Sequence, residues 1–188
     1  SSSMKECIGG VILYDETIKQ TTSKKNKIPE LISSMGSHPG IKVDTGAKVL
    51  AGSPNEKITE GLDGLRQRLK EYYNLGAKFT KWRGVYNISK EYPSKLSIQS
   101  NAHALARYSA LVQESNMVPI VEPEVLMEGD HSAEDCYQKT SEVIKKCFDV
   151  IPNDHLFWIH PPIDNNPLIL HRHHHCPTES HHNHCCFH

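Results

Sequence analysis

Apolar residues gather in short blocks that alternate between two spacings along the first 150 residues. Gly9-Gly10-Val11-Ile12-Leu13-Tyr14 is a continuous apolar run opened by glycines and closed by Asp15-Glu16, the pattern of a buried strand. Gly40-Ile41-Lys42-Val43-Asp44 predicts a second strand ending in a turn at Thr45-Gly46. Lys78-Phe79-Thr80-Lys81-Trp82-Arg83 predicts a third, and Pro119-Ile120-Val121-Glu122 a fourth. Between them the apolar spacing changes to three and four. Pro29 to Met35 predicts a short helix, with Pro at its first position and Gly36 at its end. From Thr59, the series Leu62, Leu65, Leu69, Tyr72 and Tyr73 predicts a helix stopped by Gly76. A third helix is expected over Ser100 to Ser115, with Ala102, Leu105, Ala106, Ala110, Leu111 and Val112 near one stripe. A fourth begins after Ser132, which with Asp135 forms an approximate capping box. Cys136, Thr140, Val143, Ile144, Cys147 and Phe148 line its apolar side.

The strands start near positions 10, 40, 78 and 119, the rhythm of consecutive βα units building a parallel sheet. The four units share no residue pattern, so they are not an internal sequence repeat. Periodicity alone does not separate a barrel from a doubly wound open sheet. No G-x-G-x-x-G or P-loop follows any strand, which argues against nucleotide binding.

Charge and composition narrow the picture further. With 21 Lys+Arg against 22 Asp+Glu, the chain has a formal net charge of −1, which gives no support for nucleic-acid binding by bulk electrostatics. No apolar run reaches the roughly 18 residues of a membrane span. Ser1-Ser2-Ser3-Met4-Lys5-Glu6-Cys7 does not read as a signal peptide, so no membrane partner is expected. The 188 residues suffice for one ordinary domain and fall short of the roughly 250 typical of an eight-stranded α/β barrel. Cys7, Cys136 and Cys147 are too scattered for a disulfide framework, which favours a reducing, cytoplasmic compartment.

Composition shifts abruptly near Pro152. Of 13 His, eight lie in the last 18 residues, together with Cys176, Cys185 and Cys186. The chain therefore divides into 1–151 and a divergent, poorly ordered His/Cys-rich tail over 152–188. His173, Cys176, His181 and Cys185 invite a zinc reading, but their spacing fits no standard finger, and no specific metal site is expected. A terminus read out of frame is the simpler expectation for this segment.

The candidate chemistry lies in ionisable side chains within the strands. Period two places Phe79, Lys81 and Arg83 on one face and Lys78, Thr80 and Trp82 on the other. Glu122 and Glu124 share a face in the same way, and Lys42 lies near the end of its own strand. Charges inside a parallel sheet carry a desolvation cost of several kcal/mol per ion unless partners offset it. Both barrels and open α/β sheets place active sites at the carboxyl ends of their strands. If the strands are neighbours, Lys42, Lys81, Arg83, Glu122 and Glu124 converge on one mouth. Three cations and two carboxylates there suit an anionic, phosphorylated substrate and proton transfer. A single charge at a strand end is more often a solvated rim residue or a structural ion pair. The two doublets, each carrying two charges on one face, favour the functional reading.

These residues also carry a family resemblance. Gly9-Gly10-Val11-Ile12-Leu13-Tyr14-Asp15-Glu16-Thr17, Gly40-Ile41-Lys42-Val43-Asp44-Thr45-Gly46, Gly61-Leu62-Asp63-Gly64-Leu65, Phe79-Thr80-Lys81-Trp82-Arg83 and Val118-Pro119-Ile120-Val121-Glu122-Pro123-Glu124 resemble class I fructose-bisphosphate aldolase, in order and at compatible spacing. Met4 to Gly10 and Asn101 to Tyr108 are similar too, so the resemblance covers about residues 1–151. It implies four consecutive βα units of a (β/α)8 TIM barrel. The implied activity is the reversible glycolytic cleavage of fructose 1,6-bisphosphate to dihydroxyacetone phosphate and glyceraldehyde 3-phosphate, through a lysine Schiff base and without metal or other cofactor.

The resemblance assigns Lys81 to carbinolamine and proton-transfer steps, and Glu122 to general acid/base catalysis. It assigns Glu124 to positioning the catalytic lysines, and Lys42 and Arg83 to substrate and phosphate contacts. The family is often homo-oligomeric. Its first strand would fall before Ser1, and its Schiff-base lysine belongs on a strand beginning where this chain reads Leu156-Phe157-Trp158-Ile159-His160. No lysine follows Lys146, so a fragment inactive on its own is expected. The alternatives are a non-catalytic half-barrel that pairs with another chain, and metal binding through the tail.

Overall fold

The computed structural model describes residues 7–151. Four parallel strands, β1 (Gly10–Leu13), β2 (His38–Lys42), β5 (Phe79–Tyr86) and β6 (Val118–Val125), form one sheet in the order β1-β2-β5-β6. The order follows the chain with no reversal, so there is no switch point of the kind a doubly wound sheet contains. The helices α1 (Asp15–Ile18), α2 (Ile28–Ser34), α3 (Leu65–Asn74), α4 (Lys95–Glu114) and α5 (Ala133–Val150) join them. This is the partial α/β barrel that the family resemblance implied, and it decides between the two sheet types that the rhythm left open. The tail over 152–188, with its zinc reading, lies outside the described residues. Among the described residues no helix is long and apolar enough to cross a membrane. Among them also, no group of three or more His, Cys, Asp or Glu is placed to hold a metal ion.

The core lies on one side of the sheet. Thr80 and Trp82 of β5 are fully buried with Leu65, Leu69 and Tyr72 of α3, Leu105, Tyr108 and Val112 of α4, and Val143 of α5. Each such aliphatic side chain contributes about 1.5–3 kcal/mol by leaving water. The Trp82 and Tyr108 rings pack tilted, with centroids 5.3 Å apart. The opposite face carries Phe79, Lys81 and Arg83 and is more open. The alternation read from β5 therefore holds, but the expectation of burial on both faces does not. Among the described residues no second half of a barrel covers the inner face, so its charges remain partly solvated. On that face the Phe79 ring lies over Gly10 and Gly40, where an added Cβ would collide with it.

Three sequence expectations need correction. First, the segment after β2 is a β-hairpin, β3 (Gly46–Leu50) paired antiparallel with β4 (Ser53–Glu60). Its polar run Ser53-Pro54-Asn55-Glu56-Lys57 shows little alternation because the hairpin is mostly solvated. Second, Thr59 belongs to β4, and α3 starts only at Leu65. Gly61 and Gly64 both take positive φ, 130° and 62°, which breaks any helix running through them. At Gly61 a side chain would also strike the Thr45 amide and the Trp82 ring. Third, α4 begins at Lys95, five residues before Ser100, because Ser94 caps it by accepting from the Ser97 amide. The capping box of Ser132 with Asp135 at the start of α5 is present as expected.

Glu56 is the buried charge that fixes the hairpin to the rest of the fold. It is 2% exposed and accepts hydrogen bonds from the Ser94 amide at 2.7 Å, the Ser94 hydroxyl at 2.6 Å and the Ser53 hydroxyl at 2.8 Å. It thus sits at the positive end of α4, where the helix dipole favours an anion. Burial alone would raise its pKa. The bonds from Ser94, Ser53 and Ser97 outweigh that and hold it below the ordinary carboxylate value. A depressed folded-state pKa contributes stability that is present above the unfolded-chain value of about 4.3 and lost as pH falls below it. Glu56→Gln should cost about 1–3 kcal/mol in urea unfolding at pH 7. The cost should shrink as the pH drops below about 4; a penalty independent of pH would show that the charge contributes nothing.

Candidate active site

The site is assembled by register. β5 pairs with β6 so that Lys81 lies opposite Ile120 and Arg83 opposite Glu122, while β2 places Lys42 opposite Lys81. Opposed residues on parallel strands share a face, so all five sequence candidates stand on the inner face. Lys42 ends β2 and Glu124 is the last but one residue of β6, but β5 runs three residues past Arg83, so Lys81 and Arg83 lie in its first and middle parts and not at its carboxyl end as the sequence led one to expect. The Lys81 Nζ forms an ion pair with Glu122 Oε2 at 2.9 Å. The Arg83 Nε pairs with Glu124 Oε2, also at 2.9 Å. Both pairs run diagonally between the strands and are partly exposed, Arg83 by 44%. Solvent screening leaves such pairs with little net stabilising energy, so they are free to exchange partners.

The structure brings Lys81, Arg83, Glu122 and Glu124 together in one cluster. Lys42 stands in the same row but is engaged with Asp44, its ammonium paired with the Asp44 Oδ1. Glu124 has Arg83, and not a lysine, as its partner.

Asp44 is a functional candidate that the sequence reading did not single out. Its side chain is 3% exposed, and Oδ1 also accepts from the Gly46 amide at 3.1 Å. Beyond it lies a cleft of about 330 Å3 lined by Lys42, Asp44, Asp15, Lys19, Arg68 and Tyr72. There the Tyr72 hydroxyl donates to Asp15 at 2.8 Å, and Lys19 pairs with Asp15 at 2.8 Å and with Glu71 at 3.1 Å. The hydrogen bonds from Lys19 and Tyr72 hold the Asp15 carboxyl below its usual range. Asp15 and Asp44 lie two residues past the ends of β1 and β2. The rule that directed attention to the ends of β5 and β6 applies to them equally, and their position was the signal that could have found them.

Behind the charged face, two buried networks hold the strands in place. The hydroxyls of Thr80 and Tyr108 lie 2.6 Å apart, and the Tyr108 hydroxyl donates at 3.2 Å to the carbonyl of Ile120, the residue opposite Lys81. Burial raises the Tyr108 phenol far above its usual range, so it remains a donor at any working pH. Higher on the same strand, the Thr59 hydroxyl donates to the Arg83 carbonyl at 2.7 Å, and the Asn101 Oδ1 accepts from the Thr59 amide at 3.1 Å. One helix, α4, therefore braces both β5 and the hairpin.

The sequence model of the family described as fructose-bisphosphate aldolase class-I matches residues 1–178. The chain belongs to that family. It is 54% identical over 145 residues to the "Probable fructose-bisphosphate aldolase class 1" of Xanthomonas campestris, an alignment covering 77% of this chain and 43% of the relative. To the cytosolic fructose-bisphosphate aldolase 6 of Arabidopsis thaliana it is 45% identical over 150 residues, covering 80% and 42%. A solved structure of the Plasmodium falciparum aldolase, in complex with TRAP and a small molecule inhibitor, superposes with a TM-score of 0.76 at 41% identity. That match covers 79% of this chain and 43% of the other. The chain thus spans less than half the length of these relatives. The family match extends past residue 151 into the segment where composition shifts.

The brace behind the aldolase-type strands can be tested by a double-mutant cycle. Tyr108→Phe and Thr80→Val should each cost about 1–3 kcal/mol in urea unfolding, because each strands a buried polar partner. The double variant should cost clearly less than their sum. Strict additivity would show that the two hydroxyls act independently.

Proposed function

We propose that the chain carries part of the catalytic mouth of a fructose-bisphosphate aldolase and binds phosphorylated sugars there. The observation that supports this reading most directly is the pair of partly solvated ion pairs, Lys81–Glu122 and Arg83–Glu124, on one face of β5 and β6. The family's reaction is the reversible cleavage of fructose 1,6-bisphosphate to dihydroxyacetone phosphate and glyceraldehyde 3-phosphate. An arriving phosphate competes with Glu124 for the Arg83 guanidinium and with Asp44 for the Lys42 ammonium. Charge-assisted bonds to phosphate are among the strongest such side chains make. Lys81 and Glu122 are in contact, which suits a shared proton passed to and from the substrate during carbinolamine formation and bond cleavage. Glu124, paired with Arg83, orients its guanidinium.

The imine itself requires an unprotonated lysine placed to attack the ketose carbonyl. In this family Lys81 assists that step and does not form the imine, and no lysine follows Lys146. We therefore assign to these 188 residues binding without turnover. A cytoplasmic location fits the cytosolic relative from Arabidopsis thaliana.

Calorimetric titration of the chain with fructose 1,6-bisphosphate should show binding, and Arg83→Ala or Lys42→Ala should weaken it about tenfold each. Incubation with the same sugar and borohydride should yield no covalent adduct and no triose phosphate. An adduct on Lys81 with cleavage at a family-like rate would overturn the assignment of binding without turnover. Absence of any binding would overturn the site.

A further inference from the structure

The two cations assigned to phosphate are held by carboxylates of different kinds. Glu124, the partner of Arg83, is 38% exposed, so water can take its place beside the guanidinium. Asp44, the partner of Lys42, is 3% exposed, and its Oδ2 is buried with no hydrogen-bond partner among the described residues. Its backbone is fixed on both sides. The Val43 amide donates to the Lys81 carbonyl at 3.1 Å, and the Arg68 guanidinium to the Val43 carbonyl at 2.8 Å. On the other side the Thr45 amide donates to the Glu60 carbonyl at 2.9 Å. The Gly46 amide reaches back to the Asp44 Oδ1 at 3.1 Å. The carboxylate therefore has nowhere to swing, and the ion pair with Lys42 is the only one it makes among the described residues. Lys42 ends one of the two central strands of the sheet, so this contact depends on neither edge.

We propose that Asp44 is an internal competitor for phosphate at Lys42, and that it lowers the affinity of the site for phosphorylated sugars. The inference rests on the reading of the mouth as a sugar-phosphate site. A phosphate can take the Lys42 ammonium only by drawing it off a carboxylate that stays behind, buried, with the Gly46 amide as its remaining donor. Stranding a charge in that way is costly, and the cost is subtracted from what the new ion pair contributes. Asp44 also repels the arriving anion directly. Because it is tethered two residues from Lys42, it competes at a high effective concentration. A role in stability alone predicts the opposite outcome. Removing the carboxylate would then loosen the turn, misplace Lys42 and weaken binding.

Asp44→Asn keeps an Oδ1 acceptor for the Gly46 amide and removes the charge. Calorimetric titration of this variant with fructose 1,6-bisphosphate should show binding about tenfold tighter than in the unaltered chain, with the same circular dichroism spectrum. Asp44→Ser, whose hydroxyl can also accept from that amide, should give a gain of the same sign. In a Lys42→Ala background the gain from Asp44→Asn should fall below about threefold, since only through-space repulsion is left to relieve. Binding that is unchanged or weaker in both single variants, while the unaltered chain binds the sugar, would overturn this inference alone. So would a full gain without Lys42, or loss of the fold in both variants. If the unaltered chain and Asp44→Asn both fail to bind, the sugar-phosphate reading falls and takes the inference with it.

Discussion

The pairing of β5 with β6 over eight consecutive positions is the constraint on which the candidate site depends. Side chains on adjacent parallel strands have no freedom to choose a neighbour once the register is set. A shift of one residue would exchange the inner and outer faces, sending Lys81 and Arg83 among the buried rings of α4 and bringing Trp82 to the open side. The register is specified twice over. On the outer face Thr80 and Trp82 fit against Tyr108, and that tyrosine reaches across to the Ile120 carbonyl. On the inner face Phe79 lies over two glycines that leave room for its ring.

Much of this was legible in the sequence. The four strands of the sheet show as apolar runs, and the division of β5 into a charged and an apolar face follows from period-two alternation; their order, which periodicity left open, followed only from the family resemblance. Where burial is weak, the signal fades. The β3–β4 hairpin is mostly solvated and polar, so its residues read as loop, and Thr59 near its end was absorbed into a helical series that Leu62 and Leu65 extended by coincidence. The first turn of α4 was missed for a related reason. Its start is set by a hydrogen bond from the Ser97 amide to Ser94, a local event that leaves no mark on apolar spacing.

The site was legible to a similar degree and for similar reasons. Charges on a strand that should be apolar stand out, and all five such candidates share one face. Asp44 and Asp15 did not stand out because an acidic residue just past a strand is what an ordinary turn contains. What distinguishes them is partnership with Lys42, Lys19 and Tyr72, which come from β2, the segment after α1, and α3, and for Asp44 burial as well. Only the folded chain brings those segments together.

The hairpin between β2 and α3 has one further property. Its base is closed by the Thr45 amide donating to the Glu60 carbonyl and by Arg68, which donates to the carbonyls of Val43 and Gly61. Its second strand is fixed by Glu56 and Thr59, while Ala51 and Gly52 at the tip are exposed. Anchorage at the stem uncouples the tip from the sheet. Foreign residues inserted there would protrude into solvent without disturbing strand pairing, which makes this position a natural graft point on the scaffold.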